Sequence, residues 1–291
     1  MIPKGAYTAL VTPFVNGEVD ENALRELIDF QISEGIDGIV PCGTTGESAT
    51  LAHEEHKHVI EVAIDAARGK VPVIAGTGSN STDETIALTK HAKEAGADAV
   101  LLITPYYNKP TQEGLFQHFS KVAQEVDIPQ LLYNVPGRTA LNMLPETISR
   151  LSKLENIVGI KEATADMEQI SWIRELCGEE LDIMSGDDAT VLPLLSIGGS
   201  GVISVVSNIM PKEMSALCSA FFSGNYEEAQ RLHYRLLPLA RVLFCETNPI
   251  PVKEALHLMG KITQEIRLPL TRLSEENRTR LQDVMKTLEV I

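Results

Sequence analysis

The chain has 291 residues, 44% of them hydrophobic and 22% charged, with 20 Gly and 15 Pro; this excludes disordered, collagen-like and low-complexity classes and leaves a globular protein able to bury roughly three quarters of its unfolded surface. Forty acidic residues against 25 basic ones give a net charge of -15, which repels a phosphate backbone and an anionic bilayer alike and argues against nucleic acid and membrane as partners. Four dispersed cysteines without zinc spacing, Cys42, Cys177, Cys218 and Cys245, and an opening with no room for a leader peptide predict a reduced, cytoplasmic protein.

In chain order, short apolar runs beginning near Tyr7, Asp37, Pro72, Asp98, Gln130, Ile157, Asp182 and Gly201 predict eight strands, and the stretches between them carry helical periodicity. Leu24, Leu27, Ile28 and Ile32 mark one helical face, and Ile86, Ala87, Ala92 and Ala95 approximate another. Gly35, Gly69, Gly96 and Gly178 each follow a helical stretch, as C-terminal caps do. Alternation of this kind predicts an α/β fold, a (β/α)8 TIM barrel whose typical size is about 250 residues. After Gly224 the pattern is helical only, over Tyr226 to Phe244, Val252 to Met259 and Glu275 to Leu288, broken by Asn248-Pro249-Ile250-Pro251. The division expected is a catalytic barrel over 1–224 and a C-terminal helical domain over 225–291. An open doubly wound sheet is the rival, and Gly76-Thr77-Gly78-Ser79-Asn80-Ser81 tempts a dinucleotide reading, but Ser81 stands where the third glycine belongs.

In such a barrel the residues that close each strand face the active site. They are unusually polar: Pro41-Cys42-Gly43-Thr44-Thr45-Gly46-Glu47, Thr104-Pro105-Tyr106-Tyr107, Tyr133-Asn134-Val135-Pro136-Gly137-Arg138 and Ile157-Val158-Gly159-Ile160-Lys161-Glu162. Lys161 is the sharpest, because an ammonium after an apolar run must find a partner or lose its proton. The plainer alternative is an ion pair with Glu162 or another neighbour. An uncharged lysine is a nucleophile for carbonyl carbon. Arg138 on the neighbouring loop is a cation that would favour the uncharged form, and its fork suits a substrate carboxylate. Tyr133, Thr44 and Tyr107 offer hydroxyls for moving protons, although a tyrosine closing a strand is more often a half-buried packing residue. Gly43-Thr44-Thr45-Gly46 reads either as an anion-binding nest or as a tight turn.

Carrying these motifs, the whole chain resembles the dihydrodipicolinate synthase family of pyruvate-dependent class I aldolases. The signatures are Gly43-Thr44-Thr45-Gly46-Glu47, Tyr133-Asn134-Val135-Pro136-Gly137-Arg138-Thr139 and Gly159-Ile160-Lys161-Glu162. The resemblance implies a lyase with Lys161 as Schiff-base former and Tyr133, Thr44 and Tyr107 as proton relay. It implies Thr45 as holder of the pyruvate carboxylate and Arg138 as clamp for the carboxylate of L-aspartate 4-semialdehyde, with Gly186 and Ile203 lining the pocket. It also implies lysine and diaminopimelate biosynthesis, no metal or organic cofactor, and a homotetramer made as a dimer of dimers, with Tyr107 supplied across the dimer interface. Ser48, Ala49, His53, His56, Asn80, Glu84 and Tyr106 stand where members of the family inhibited by L-lysine bind it. Chemically the set suits an amino acid, since Glu84 can pair with an ammonium while Asn80 and Tyr106 can donate to a carboxylate. Ser81 to Glu84 also reads as a capping box, and an extended backbone would point Tyr106 and Tyr107 to opposite sides.

His53-Glu54-Glu55-His56-Lys57-His58 lacks the zincin spacing, so no metal site is expected. Two rival functions remain at the level of sequence. One is another aldolase of the class, such as N-acetylneuraminate lyase or a keto-deoxy-sugar-acid aldolase, against which Arg138 discriminates. The other is a non-catalytic keto-acid or amino-acid sensor, against which the complete relay argues.

Overall fold

The computed structural model describes residues 2–291. The strands are β1 (Gly5–Ala9), β2 (Phe14–Val15), β3 (Glu18–Val19), β4 (Gly38–Val40), β5 (Ile74–Gly76), β6 (Ala99–Ile103), β7 (Gln130–Asn134), β8 (Ile157–Glu162), β9 (Asp182–Ser185) and β10 (Gly201–Ser204). The helices are α1 (Glu21–Ser33), α2 (His53–Ala67), α3 (Thr82–Ala95), α4 (Gln112–Glu125), α5 (Pro136–Thr139), α6 (Pro145–Leu151), α7 (Met167–Cys177), α8 (Val191–Ser196), α9 (Pro211–Phe222), α10 (Tyr226–Val242), α11 (Ile250–Leu258) and α12 (Glu275–Thr287). Eight strands make one sheet in the order β4-β1-β10-β9-β8-β7-β6-β5, while β2 and β3 form a separate antiparallel hairpin. This is the strand order of a (β/α)8 barrel, and α10, α11 and α12 form the C-terminal helical extension.

The chain forms two compact units, one chiefly Ile74–Ile203 and the other Gly5–Val73 with Ser204–Ile291. In the first, β6 and β7 are buried at nearly every residue, which is why they read as unbroken apolar runs rather than as alternating ones. Pairing along this unit is parallel, with Ile103 opposite Tyr133, Tyr133 opposite Lys161, and Lys161 opposite Met184. Gly78 lies so close to β6 that a Cβ there would fall 2.3 Å from the Ile103 nitrogen. Backbone packing therefore accounts for a glycine of the Gly76-to-Ser81 motif that a dinucleotide fingerprint would have claimed.

Two details of the helices differ from the sequence expectation. The buried face of α3 is Thr85, Leu88, Thr89 and Ala92, not the stripe through Ile86, Ala87 and Ala95. The threonines can turn inward because their hydroxyls are satisfied: Thr89 Oγ1 meets Thr77 Oγ1 at 2.9 Å, and Thr85 Oγ1 donates to the Ser81 carbonyl at 2.9 Å. The capping box at Ser81 is built from one side only as expected. Ser81 Oγ accepts from the Glu84 amide, but the Glu84 carboxylate accepts from Ser79 Oγ.

In the second unit β1 pairs with β4, and Ile39 forms a parallel bridge to Val73. Gln31 on α1 is buried because it meets the Thr8 hydroxyl and the Ser207 carbonyl. Asn208 fixes the end of β1 by donating to the Ala9 carbonyl and accepting from the Val11 amide. Of the break expected at Asn248 to Pro251, Asn248 and Pro249 fall between α10 and α11, with Pro249 as N-cap of the latter, while Ile250 and Pro251 already form its first turn, where a proline is tolerated. No helix of the described residues is long and apolar enough to cross a membrane.

Candidate active site

In the first unit the ends of β7 and β8 bring Tyr133 and Lys161 into register. Both are 6% exposed, and Lys161 Nζ lies 4.4 Å from the centre of the Tyr133 ring. The expected alternative, an ion pair with Glu162, is not what the strand builds. Successive residues of a strand face opposite ways, and the Glu162 carboxylate is occupied on its own side by Asn134 Nδ2 at 3.1 Å, the Thr164 amide at 2.9 Å and Gln169 Nε2 at 3.3 Å. Desolvation holds Glu162 above the ordinary carboxylate value of 4.5, against the lowering effect of those donors. Among the described residues no carboxylate lies within ion-pair distance of Lys161. Gly186, just past β9, makes room for this amine: a Cβ there would fall 3.1 Å from Lys161 Cε and 2.6 Å from Ala163 Cβ. Ile203 is buried in β10. Arg138 sits exposed on the single turn α5, which Pro136 begins.

Tyr107 stands apart from this cluster. It is 90% exposed and its φ is +72°, so the backbone is left-handed at this residue rather than extended as expected, and simple alternation of Tyr106 and Tyr107 does not apply. Asn80 and Tyr106 are brought together, Asn80 Nδ2 donating to the Tyr106 carbonyl at 3.1 Å and Asn108 Nδ2 donating to the Asn80 carbonyl at 2.8 Å. Glu84 joins them through Ser79.

The second unit carries the Gly-Thr-Thr-Gly-Glu loop, Ser48, Ala49, His53 and His56. The loop is a tight turn, since the Gly46 and Ser48 amides return to the Gly43 carbonyl and the Glu47 amide to the Thr44 carbonyl. The Gly46 amide, one of those an anion nest over Gly43 to Gly46 would use, is thereby spent on the turn. Thr45 is buried and its Oγ1 accepts from Asn248 Nδ2 at 3.0 Å. Thr44 is half-buried, Ser48 and Ala49 lie in a single 3-10 turn, and His53 is the exposed first residue of α2. His56 is buried and its carbonyl accepts from Cys42 Sγ at 3.6 Å. Cys42 is wholly buried and burial pushes its thiol up, which fits a packing residue and not a nucleophile.

Sequence reasoning passed over a buried network beside Thr45. Lys253 Nζ meets Glu47 Oε1 at 2.6 Å with both side chains almost fully buried, donates to the Thr12 carbonyl at 3.0 Å and lies over the Phe14 ring. Burial pulls the Lys253 ammonium down, opposed by Glu47. Arg267 donates its amide to Glu47 Oε2 at 3.1 Å and forks onto Glu55, which it holds down at about 2. The signal was present: Lys253 interrupts an apolar stretch just as Lys161 does.

A parallel barrel with a buried lysine on its sixth parallel strand, beside a strand-closing tyrosine, defines the class of lysine-bearing barrel aldolases. The chain belongs to the Dihydrodipicolinate synthetase family, whose model matches residues 2–288. It is 58% identical over 288 residues to the 4-hydroxy-tetrahydrodipicolinate synthase of Syntrophus aciditrophicus, covering 99% of each chain. Among solved structures it is similar to the chloride-inhibited dihydrodipicolinate synthase of Acinetobacter baumannii complexed with pyruvate, at 47% identity, TM-score 0.98 and full coverage of both chains. It is also similar to the Cyanidioschyzon merolae enzyme with lysine bound, at 42% identity and TM-score 0.96, covering 100% of this chain and 99% of that one.

Proposed function

We propose that this chain is a 4-hydroxy-tetrahydrodipicolinate synthase, a lyase that condenses pyruvate with L-aspartate 4-semialdehyde through a Schiff base on Lys161. The observation that carries the reading is the placement of Lys161: buried, without a carboxylate partner, and 4.4 Å from the Tyr133 ring. An amine so held has no carboxylate to engage it and lies within reach of a phenol, the setting in which a lysine can attack a carbonyl carbon.

Uncharged Lys161 attacks the ketone carbon of pyruvate, and the carbinolamine loses water to give an imine. Tyr133 delivers and removes the protons of these steps, with Thr44 and Tyr107 as the further members of its relay. Loss of a methyl proton gives an enamine, whose carbon adds to the aldehyde of the second substrate. The amine of that substrate then attacks the imine carbon, closing the ring and expelling Lys161 as free amine. In this reading Thr45 holds the pyruvate carboxylate, Arg138 the carboxylate of the aldehyde substrate, and Gly186 and Ile203 line the pocket. The 90% exposure and left-handed backbone of Tyr107 support its delivery to a second copy of the chain, within a cytoplasmic homotetramer built as a dimer of dimers. The Asn80, Glu84 and Tyr106 group, with Ser48, Ala49, His53 and His56, serves as the L-lysine inhibitory site. The barrel over 1–224 does the chemistry and residues 225–291 form the helical domain.

Borohydride reduction in the presence of pyruvate, followed by peptide mapping, is expected to place the adduct on Lys161 alone. Turnover with aspartate semialdehyde in a coupled-reductase assay is expected to be lost in Lys161→Met. An adduct on another lysine, or none, would overturn the reading.

A further inference from the structure

Thr45 is 3% exposed and Asn248 4% exposed, and the Asn248 amide donates to the Thr45 hydroxyl at 3.0 Å. A threonine hydroxyl has one proton to give and lone pairs to receive. With the Asn248 amide on its acceptor side, the proton of Thr45 must point elsewhere. A carboxylate can only accept hydrogen bonds, so a hydroxyl pre-set as a donor is what a keto-acid carboxylate requires.

The segment bearing Thr45 is anchored around this contact. Thr12 Oγ1 donates to the Gly46 carbonyl at 2.7 Å, and Glu47 is paired with Lys253 at 2.6 Å. Asn248 and Lys253 flank the start of α11, so one short stretch of chain holds both Thr45 and Glu47. Bulk water cannot compete at a hydroxyl this buried, and its orientation is set before any ligand arrives.

The geometry points to Asn248 as a positioning residue that fixes the Thr45 hydroxyl as a donor to the pyruvate carboxylate. This deepens the function proposed above and rests on its assignment of Thr45. It concerns binding of the keto acid, and leaves the proton relay and the aldehyde clamp untouched.

The test uses the full-length enzyme with Asn248→Ala, Asn248→Asp, Thr45→Val and the double variant Thr45→Val/Asn248→Ala. In Asn248→Ala the pyruvate KM is expected to rise about tenfold, the loss of one oriented hydrogen bond to a charged group, with kcat and the aldehyde KM within about twofold of the unaltered enzyme. Asn248→Asp keeps the size but accepts the Thr45 proton, so its pyruvate KM is expected to rise further than that of Asn248→Ala. On the Thr45→Val background Asn248→Ala should add nothing. Should Asn248→Ala fold poorly, Asn248→Asp decides the matter, read as the pyruvate concentration that half-saturates borohydride trapping. A raised pyruvate KM in Thr45→Val with no change in either Asn248 variant would overturn the positioning role and leave the proposed function standing. A drop confined to kcat would also overturn it. An unchanged pyruvate KM in Thr45→Val would instead remove Thr45 from carboxylate binding, and the positioning role with it.

Discussion

Lys253 and Glu47 place opposite charges in an interior where neither has access to water, and each is tolerated there only because the other is present. Replacing Lys253 by Met leaves the carboxylate buried with the Arg267 amide as its remaining donor, and is expected to cost about 3–5 kcal/mol in urea unfolding. The double variant Lys253→Met/Glu47→Gln, which removes both charges and keeps an acceptor for Arg267, is expected to recover about 2 kcal/mol or more of that loss. A single-variant cost below about 1 kcal/mol would show that the pair contributes little. The burial of Lys161 and its separation from Glu162 were readable from its neighbours in the chain because a strand exposes its logic locally: an apolar run, a cation, and alternation that sends Glu162 the other way. The partner of Lys253 lies 206 residues away and that of Thr45 lies 203 residues away, and no local pattern encodes either meeting.

At the level of elements, the strands were legible because parallel strands buried on both faces must be continuous apolar runs, and every one of the eight begins within about two residues of the expected position. The hairpin of β2 and β3 was not, since two residues per strand carry no periodicity. The inward face of α3 was misjudged because hydroxyls that find partners behave as core. The neighbouring α4 makes a related substitution: His118 is buried, its Nδ1 meets Thr82 Oγ1 at 2.9 Å, its Nε2 has no partner, and burial pulls the imidazole down to about 4. Here the unfolded chain takes up a proton near pH 6.5 while the folded one refuses it until about 4. Stability is therefore complete above about 6.5 and is lost as pH falls through that window, by an amount on the order of 3 kcal/mol. His118→Phe is expected to flatten the Tm between pH 6.5 and 4, and an unchanged slope would rule out this imidazole as the source.

On the scale of the whole molecule, the proposed inhibitory site makes folding and feedback two readings of one binding equilibrium. L-Lysine at a hundredfold excess over its Kd is expected to stabilise the protein by about 2.7 kcal/mol, seen as a higher Tm, and to lower turnover. Asn80→Ala, which breaks the contact with the Tyr106 carbonyl, is expected to weaken both effects together. A chain whose turnover and Tm ignore millimolar lysine has no working site of this kind.

The split of one compact unit between the two ends of the chain bears on biosynthesis. A ribosome delivers residues 74–203 as an uninterrupted stretch, whereas Gly5–Val73 must wait for Ser204–Ile291 before its unit is whole. Thr45 and Glu47 are translated early, and the amide and ammonium that complete them arrive close to the end. A nascent polypeptide stalled short of Asn248 therefore holds every side chain proposed for catalysis and still lacks the amide that engages the Thr45 hydroxyl.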